Sequence, residues 1–428
     1  MLPNRPWLFA WQILLLLLLL VAGTAAALRL VPVRASKPDA GRERPLLDLA
    51  GVTMAQRSEL GNLVRASLMD GLSRSSMYDL RPVRRIGALD PHPVAARYRL
   101  SADLIASQRP RLFLRLTSVS PERLIWSGDI SLPGDPALDG DALDRALAPT
   151  IATIGRVNGL IATHQLQENG GLEALGYSCV LLYHQYRKDR TDRELDHVHR
   201  CVERSLNLNP NNAELQAAAA QLSIERMVSG RTNPRDRPTL LLTARRHAQI
   251  AASIDPFDPW GNAARARIAV IRKACPQAIG FALRAAQLQP YDPTLLADVG
   301  VYLLDCGDDR AEGLIRRAIA LDDNPEGRFY GPLLLLAISR DDPALAREAL
   351  AHRTPPVIGR HGHFFLTAAA GYAMNGDLVR ARAAWRQLEM NSPAIARDPQ
   401  GFFERLGYNE GLRAKAMGHL RKAGLLRS

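Results

Sequence analysis

The chain has 428 residues, 47% of them hydrophobic, and carries 55 Lys and Arg against 43 Asp and Glu for a net charge of +12. That length exceeds one compact core and implies two or three folding units. A basic excess normally raises nucleic acid or an acidic membrane surface. Here the Arg residues are scattered at helix spacing without a dense run or interleaved aromatics, and the only Lys are Lys37, Lys188, Lys273, Lys415 and Lys422, so no nucleic-acid partner is expected.

Pro6 to Leu28 contains no charge, and Ile13 to Val21 is nearly all Leu. A run of this length spans the hydrocarbon core of a bilayer, with Trp7 and Trp11 suited to one interface. A cleaved signal peptide is the alternative, with Arg5 ahead of the apolar run and Ala25-Ala26-Ala27 as the cleavage site. The run is long for such a peptide, which favours an uncleaved anchor over residues 1–28. Orientation is contested. Arg29, Arg34, Lys37, Arg42 and Arg44 follow the span, whereas Arg5 and the amino terminus precede it, and the positive-inside bias would keep the bulk cytoplasmic. Residues 29–45 are rich in Pro and charge and read as a linker.

Residues 46–166 read as a small α/β domain. Leu60, Leu63, Val64, Leu68 and Leu72 line one face of a helix, and Met77 to Val83 is strand-like. Tyr98, Leu100, Ala102 and Leu104 alternate with polar residues, Leu112, Leu114 and Leu116 alternate with Arg111, Phe113 and Arg115, and a third segment starts at Leu124 and Trp126. Turns at Gln108-Arg109-Pro110 and Ser120-Pro121-Glu122 join these into an antiparallel meander with one buried face. Asp141 to Gln165 is expected to close the unit as one helix. Tyr98–Ile105, Leu112–Ser118 and Leu124-Ile125-Trp126-Ser127-Gly128 resemble the TolB-like domain that precedes helical repeats in bacterial regulators and cyclase-associated proteins; Pro45 to Ala50 is the candidate for its opening strand.

The remainder, 172–427, repeats. Ser253-Ile254-Asp255-Pro256, Gln287-Leu288-Gln289-Pro290 and Ala320-Leu321-Asp322-Asp323 stand 34 and 33 residues apart. Gly307-Asp308, Asp341-Asp342 and Gly376-Asp377 keep the same beat at 34 and 35. Two markers at this period predict a helix–turn–helix solenoid of the tetratricopeptide class, in which no repeat buries its face alone. Gly300, Ala311 and Ala318 let paired helices approach, and Leu303 and Ile315 fill the space between them; this resembles the tetratricopeptide repeat itself. Six hairpins are expected near 172–208, 213–254, 258–288, 293–322, 326–352 and 361–390, with an insertion at Val228–Pro238. A terminal helix, Glu410 to Leu425, follows Phe402-Phe403 and is expected to cap the last apolar face. The predicted class is therefore mainly α: a tetratricopeptide-like solenoid behind a small α/β domain and an N-terminal transmembrane helix. Relatives with TolB-like domains often carry a DNA-binding or cyclase domain ahead of the span. Few residues stand ahead of Pro6 in the sequence, so those activities are not expected to transfer.

Cys179 and Cys201 lie eleven residues on either side of the first hairpin's turn near Arg190, level with each other in an antiparallel pair. Cys275 and Cys306 are 31 apart, about one repeat. Two such pairs suggest two disulfides and an oxidising compartment, the bulk then being periplasmic on a single-pass inner-membrane protein. The alternative is four buried thiols. His197-x-His199-x-Cys201 lacks a second ligand cluster of the right spacing, His361-x-His363 being far away in sequence, so a zinc site is not expected. The four Asp from Asp135 to Asp144 lack the order of a calcium loop and suit helix capping. No phosphate-binding Gly loop, nucleophile elbow or H-E-x-x-H motif occurs. The expectation is a non-enzymatic, cofactor-free scaffold that binds a protein or peptide in the concave groove. Candidate lining residues, from helix phase, are Tyr183, Tyr186, Arg265, Arg267, Asp298, Tyr302 and Arg340. The alternative is a sensory or regulatory module whose output domain lies on another chain. Oligomeric state is left open.

Overall fold

The computed structural model describes residues 43–54, 59–82, 97–105, 107–133, 140–171, 173–189, 192–228, 232–322, 327–355 and 362–426. The expected span at Pro6–Leu28, most of the linker and the Asp135–Asp139 half of the acidic run lie outside them. Among the described residues no helix is long and apolar enough to cross a membrane.

The α/β unit is a five-stranded sheet, β1 (Leu46–Met54), β2 (Asp79–Pro82), β3 (Arg97–Ile105), β4 (Arg111–Val119) and β5 (Glu122–Ser131), in the order β2-β1-β3-β4-β5. The meander β3-β4-β5 is antiparallel, while β1 pairs in parallel with both β2 and β3. Alternation decides which face is covered. Leu100, Leu112, Leu114 and Leu116 are fully buried against helices α1 (Glu59–Ser73) and α2 (Gly140–Gly155). The other face carries cross-strand pairs, Arg115 with Asp103 and Arg111 with Asp129, and Arg81 reaches Asp48 at 3.0 Å.

The closing helix departs from expectation. It is two helices, α2 and α3 (Leu160–Asn169), broken at residues 156–159. The break has a partner: the backbone N–H of Val157 donates to Asp292 Oδ2 at 2.8 Å, and Arg156 pairs with Asp322 at 2.9 Å. An uninterrupted helix would keep that N–H for itself, so docking onto the repeats decides where the helix stops.

Six hairpins follow: α4 (Tyr177–Asp189) with α5 (Asp192–Leu208), α6 (Ala213–Val228) with α7 (Arg237–Ile254), α8 (Pro259–Ile271) with α9 (Cys275–Leu288), α10 (Pro293–Asp305) with α11 (Arg310–Ala320), α12 (Tyr330–Arg340) with α13 (Pro343–Ala351), and α14 (Gly362–Met374) with α15 (Leu378–Asn391). Helix starts recur along the array for a local reason. Asp258, Asp292 and Asp342 each cap a helix whose first residue is Pro, accepting backbone N–H groups that would otherwise be unpaired. Between the two helices of a hairpin the chain turns through one left-handed residue: Lys273 (φ 60°), Gly307 (φ 71°), Asp341 (φ 61°) and Gly376 (φ 72°). Inside a hairpin, a β-carbon built on Gly300 would lie 2.8 Å from Ile315, and Ala311, Ile315 and Ala318 are buried. Both cysteine pairs are bonded, Cys179 to Cys201 and Cys275 to Cys306, with Cα atoms 5.6 and 5.3 Å apart.

The C-terminal segment corrects a further expectation. Helices α16 (Pro393–Arg397), α17 (Pro399–Leu406) and α18 (Glu410–Lys422) do not simply cap the last hairpin. They turn back across the array: α17 meets α6, and α18 packs on α12 and α14, the first helices of the last two hairpins.

Candidate functional site

The first helices of the hairpins converge on the inner side, which is where most of the predicted groove residues lie. Arg187 of α4 donates to Asp298 of α10, linking the first and fourth hairpins directly. Arg267 of α8 pairs with Glu225 of α6 at 2.7 Å and donates to Gln221 at 3.0 Å. Trp260 and His184 lie 4.6 Å apart, and the Arg187 guanidinium sits over Trp260 and Tyr183. Tyr183, Tyr186 and Tyr302 are buried. Burial pushes the Tyr183 hydroxyl up to about 12 and holds His184 neutral, well below its ordinary value. Helix phase assigned these side chains to the inner side. In the structure they are buried and pack on one another. Arg265 and Arg340 behave differently. Arg265 stacks on Phe281 of α9 at 3.7 Å, and the exposed Arg340 pairs with Glu312 of α11 at 2.6 Å.

Further along, the C-terminal segment lies in a trough formed by the ends of α8, α10 and α12. Lys273 Nζ donates to the carbonyl of Gly407 at 2.8 Å. Asp305 Oδ1 accepts the N–H of Asn409 at 3.3 Å, and the Asn409 amide donates to the carbonyls of Leu304 and Asp305 at 3.4 and 3.3 Å. Lys415 Nζ reaches the Ser339 carbonyl at 2.6 Å, and His419 Nε2 lies 2.8 Å from Asp341 Oδ1. Helix C-termini leave unpaired carbonyls and a partial negative charge; amide and ammonium donors satisfy both. Leu412, Ala416, Met417 and Leu420 form the buried face of α18, and His363 of α14 meets the Tyr408 hydroxyl at 2.8 Å. Burial raises Asp305 to about 7, against the pull of the Asn409 N–H and Lys273.

The opposite edge of the array, where the first helices begin, holds the α/β unit. Ser76 Oγ donates to Gln289 at 3.2 Å, and the Tyr177 hydroxyl donates to the Met77 carbonyl at 2.7 Å. Beside these contacts opens a cleft of about 950 Å³, with Arg44, Asp79, Glu214, Asp258 and Phe257 among its walls. Arg44 lies 3.2 Å from Glu214 and 3.7 Å from Asp79. Burial lifts Glu214 to about 8 even beside Arg44, and lifts Asp258, whose oxygens cap α8, to about 6. No sequence window shows this cleft, because its walls come from six stretches of the chain, 43–46, 73–79, 177, 209–214, 254–259 and 287–288.

Other sequence candidates have ordinary surroundings. His199 lies 3.2 Å from Glu203 and 3.0 Å from Arg226, and Cys201 is held in its disulfide. Among the described residues no group of three or more His, Cys, Asp or Glu could hold a metal ion.

The fold and these surfaces define a class: a mainly helical array of tetratricopeptide-type hairpins with an appended sheet. No family model and no curated protein matches the chain. Solved structures do resemble it. A structure of PilF from Pseudomonas aeruginosa is 16% identical, covering 50% of this chain and 91% of its own at a TM-score of 0.34. The anaphase-promoting-complex hetero-tetramer Cut9–Hcn1 gives 16% identity, 66% of this chain, 52% of the other and a TM-score of 0.41. TTC0263, a thermophilic TPR protein of Thermus thermophilus, gives 17%, 57%, 97% and 0.32.

Proposed function

We propose that this protein is a membrane-tethered scaffold whose helical array holds a protein partner, with Pro6–Leu28 as the tether and the bulk in an oxidising compartment. The observation that carries the reading is the architecture: stacked hairpins present long, fixed edges, and recognition by such arrays comes from surface shape rather than from a reacting centre. The two bonded cysteine pairs support the compartment. Partner contact is assigned to the edge formed by the C-terminal ends of α10 and α12, where main-chain carbonyls and Asp341 line the trough that the C-terminal segment occupies. The α/β unit and its cleft supply a second contact surface, and the resemblance of residues 46–166 to TolB-like domains is part of the same reading.

The test places a photoreactive amino acid at Arg340, beside the trough, or at Phe257, on the cleft rim, in the full-length protein in membranes. A cross-linked protein adduct at Arg340 is expected. Removing residues 1–28 should move that adduct from the membrane pellet to the soluble fraction. An adduct at Phe257 alone would transfer the contact to the cleft, and none at either position would overturn the scaffold reading.

A further inference from the structure

We infer that the trough along the C-terminal ends of α10 and α12 is a helix-binding site which α18 fills in cis, and that the partner it accepts is an amphipathic cationic helix. The inference rests on the scaffold reading and names the partner's chemistry. The chain supplies its own ligand, and the contacts show what is recognised. From Leu412 the apolar face runs 412, 416, 417 and 420, one face of a helix, and all four residues are buried. Lys415 and His419 flank that face, the first on the Ser339 carbonyl and the second on Asp341. Asn409 caps α18 through the N–H of Leu412 while its amide meets the end of α10. The recognised pattern is therefore an Asn cap, apolar positions one turn apart, a Lys three residues after the first of them and a His seven after it.

Receptor and ligand are separable in the fold. None of the trough groups at Leu304, Asp305, Ser339 and Asp341 belongs to the segment that fills it, and each lies at the C-terminal end of a helix whose hairpin is complete without α18. The end of α10 is further held by the Cys275–Cys306 bond, which ties it to the start of α9 beside Lys273. The walls are thus fixed from outside the segment they hold. The ligand, by contrast, reaches the trough from α15 through the short helices α16 and α17. A helix in trans offering the same face, the Lys and the His would meet the same partners.

The test uses the full chain. Leu412→Glu with Leu420→Glu should expel α18 by burying charge against the apolar floor. A fluorescein-labelled peptide of residues 408–426 is titrated into wild type and variant and followed by anisotropy, with a scrambled peptide as control. The variant should bind the authentic peptide at least tenfold more tightly than wild type does, and the scrambled one no better than wild type. A variant that keeps its helical circular dichroism yet gains no affinity would overturn the proposal. Where the double Glu variant fails to fold, Lys415→Ala with His419→Ala keeps every apolar contact. Hydrogen exchange in 408–425 should then quicken at least tenfold while 293–305 is unchanged. If both segments quicken together, α18 is part of the core and the proposal fails. Peptide uptake is independent of where a native partner cross-links, so this inference and the scaffold reading fail separately.

Discussion

Two glycines in one hairpin should respond in opposite directions to the same substitution. Gly300 lies in α10 and Gly313 in α11. Glycine in a helix interior costs about 1 kcal/mol relative to alanine, so Gly→Ala gains that amount where space permits. At Gly313 no atom lies within 4 Å of an added β-carbon, and the full gain of about 1 kcal/mol is expected. At Gly300 the added carbon would sit 2.8 Å from Ile315 Cγ1 and 3.4 Å from the Ala311 carbonyl. Ile315 is fully buried and cannot swing away. Overpacking of this kind costs about 1–3 kcal/mol, which outweighs the propensity gain and leaves a net loss of about 1 kcal/mol. The two variants should therefore differ by about 2 kcal/mol, roughly 30-fold in an opening equilibrium. Global melting is a poor reporter in a repeat array, where neighbouring units open in turn. Amide exchange across 293–320 reads the local opening directly. Exchange should slow in Gly313→Ala and quicken in Gly300→Ala. Combining Gly300→Ala with Ile315→Ala should recover part of the loss, because the added methyl then fills space. If Gly300→Ala slows exchange as much as Gly313→Ala does, the helices are not in close contact there and the assigned packing is wrong.

Alkylation of the denatured, unreduced protein after thiol trapping in cells should label no cysteine, since both pairs are bonded; four labelled thiols would point to a reducing compartment. The Cys179–Cys201 link closes about 20 residues, worth roughly 3 kcal/mol in the chain-entropy model, so reduction should lower the melting temperature. Stability should also fall as pH rises from about 4, the unfolded carboxyl range, to about 8, the slope easing as each folded value is passed. Burial raises Asp258, Asp305 and Glu214 to about 6, 7 and 8, so the folded state holds their protons more tightly than the unfolded chain does. Their contribution is complete below the unfolded carboxyl range and is lost as pH rises through each folded value, at most about 1.4 kcal/mol per pH unit per group. Denaturant midpoints from pH 5.5 to 8.5 check this, and Asp305→Asn should flatten the profile near pH 7. A midpoint that climbs with pH would contradict the burial of these groups.

Much of the fold was legible because its signals are local. Asp258, Asp292, Asp342 and Asp398 each stand ahead of Pro and cap a helix, and a left-handed turn selects Gly or a tolerant residue, so the repeat period is written at helix ends. Lys273 completes the series of left-handed turns but carries no signal, since its side chain is used on Gly407 rather than for the turn. Strand alternation likewise marked the meander, and equal distances from a turn marked the Cys179–Cys201 pair. The rest depended on how elements meet. Helix phase placed Tyr183, Tyr302 and Arg267 on the inner side, but whether an inner side is open or closed follows from the curvature accumulated over many contacts. The face of α18 that must be buried is plain in Leu412, Met417 and Leu420, yet amphipathicity names a face and not its receptor. The break at residues 156–159 and the cleft around Glu214 come from groups more than a hundred residues apart in sequence, brought together when the sheet docks on the array. No sequence window contains them, so only the tertiary structure could decide them.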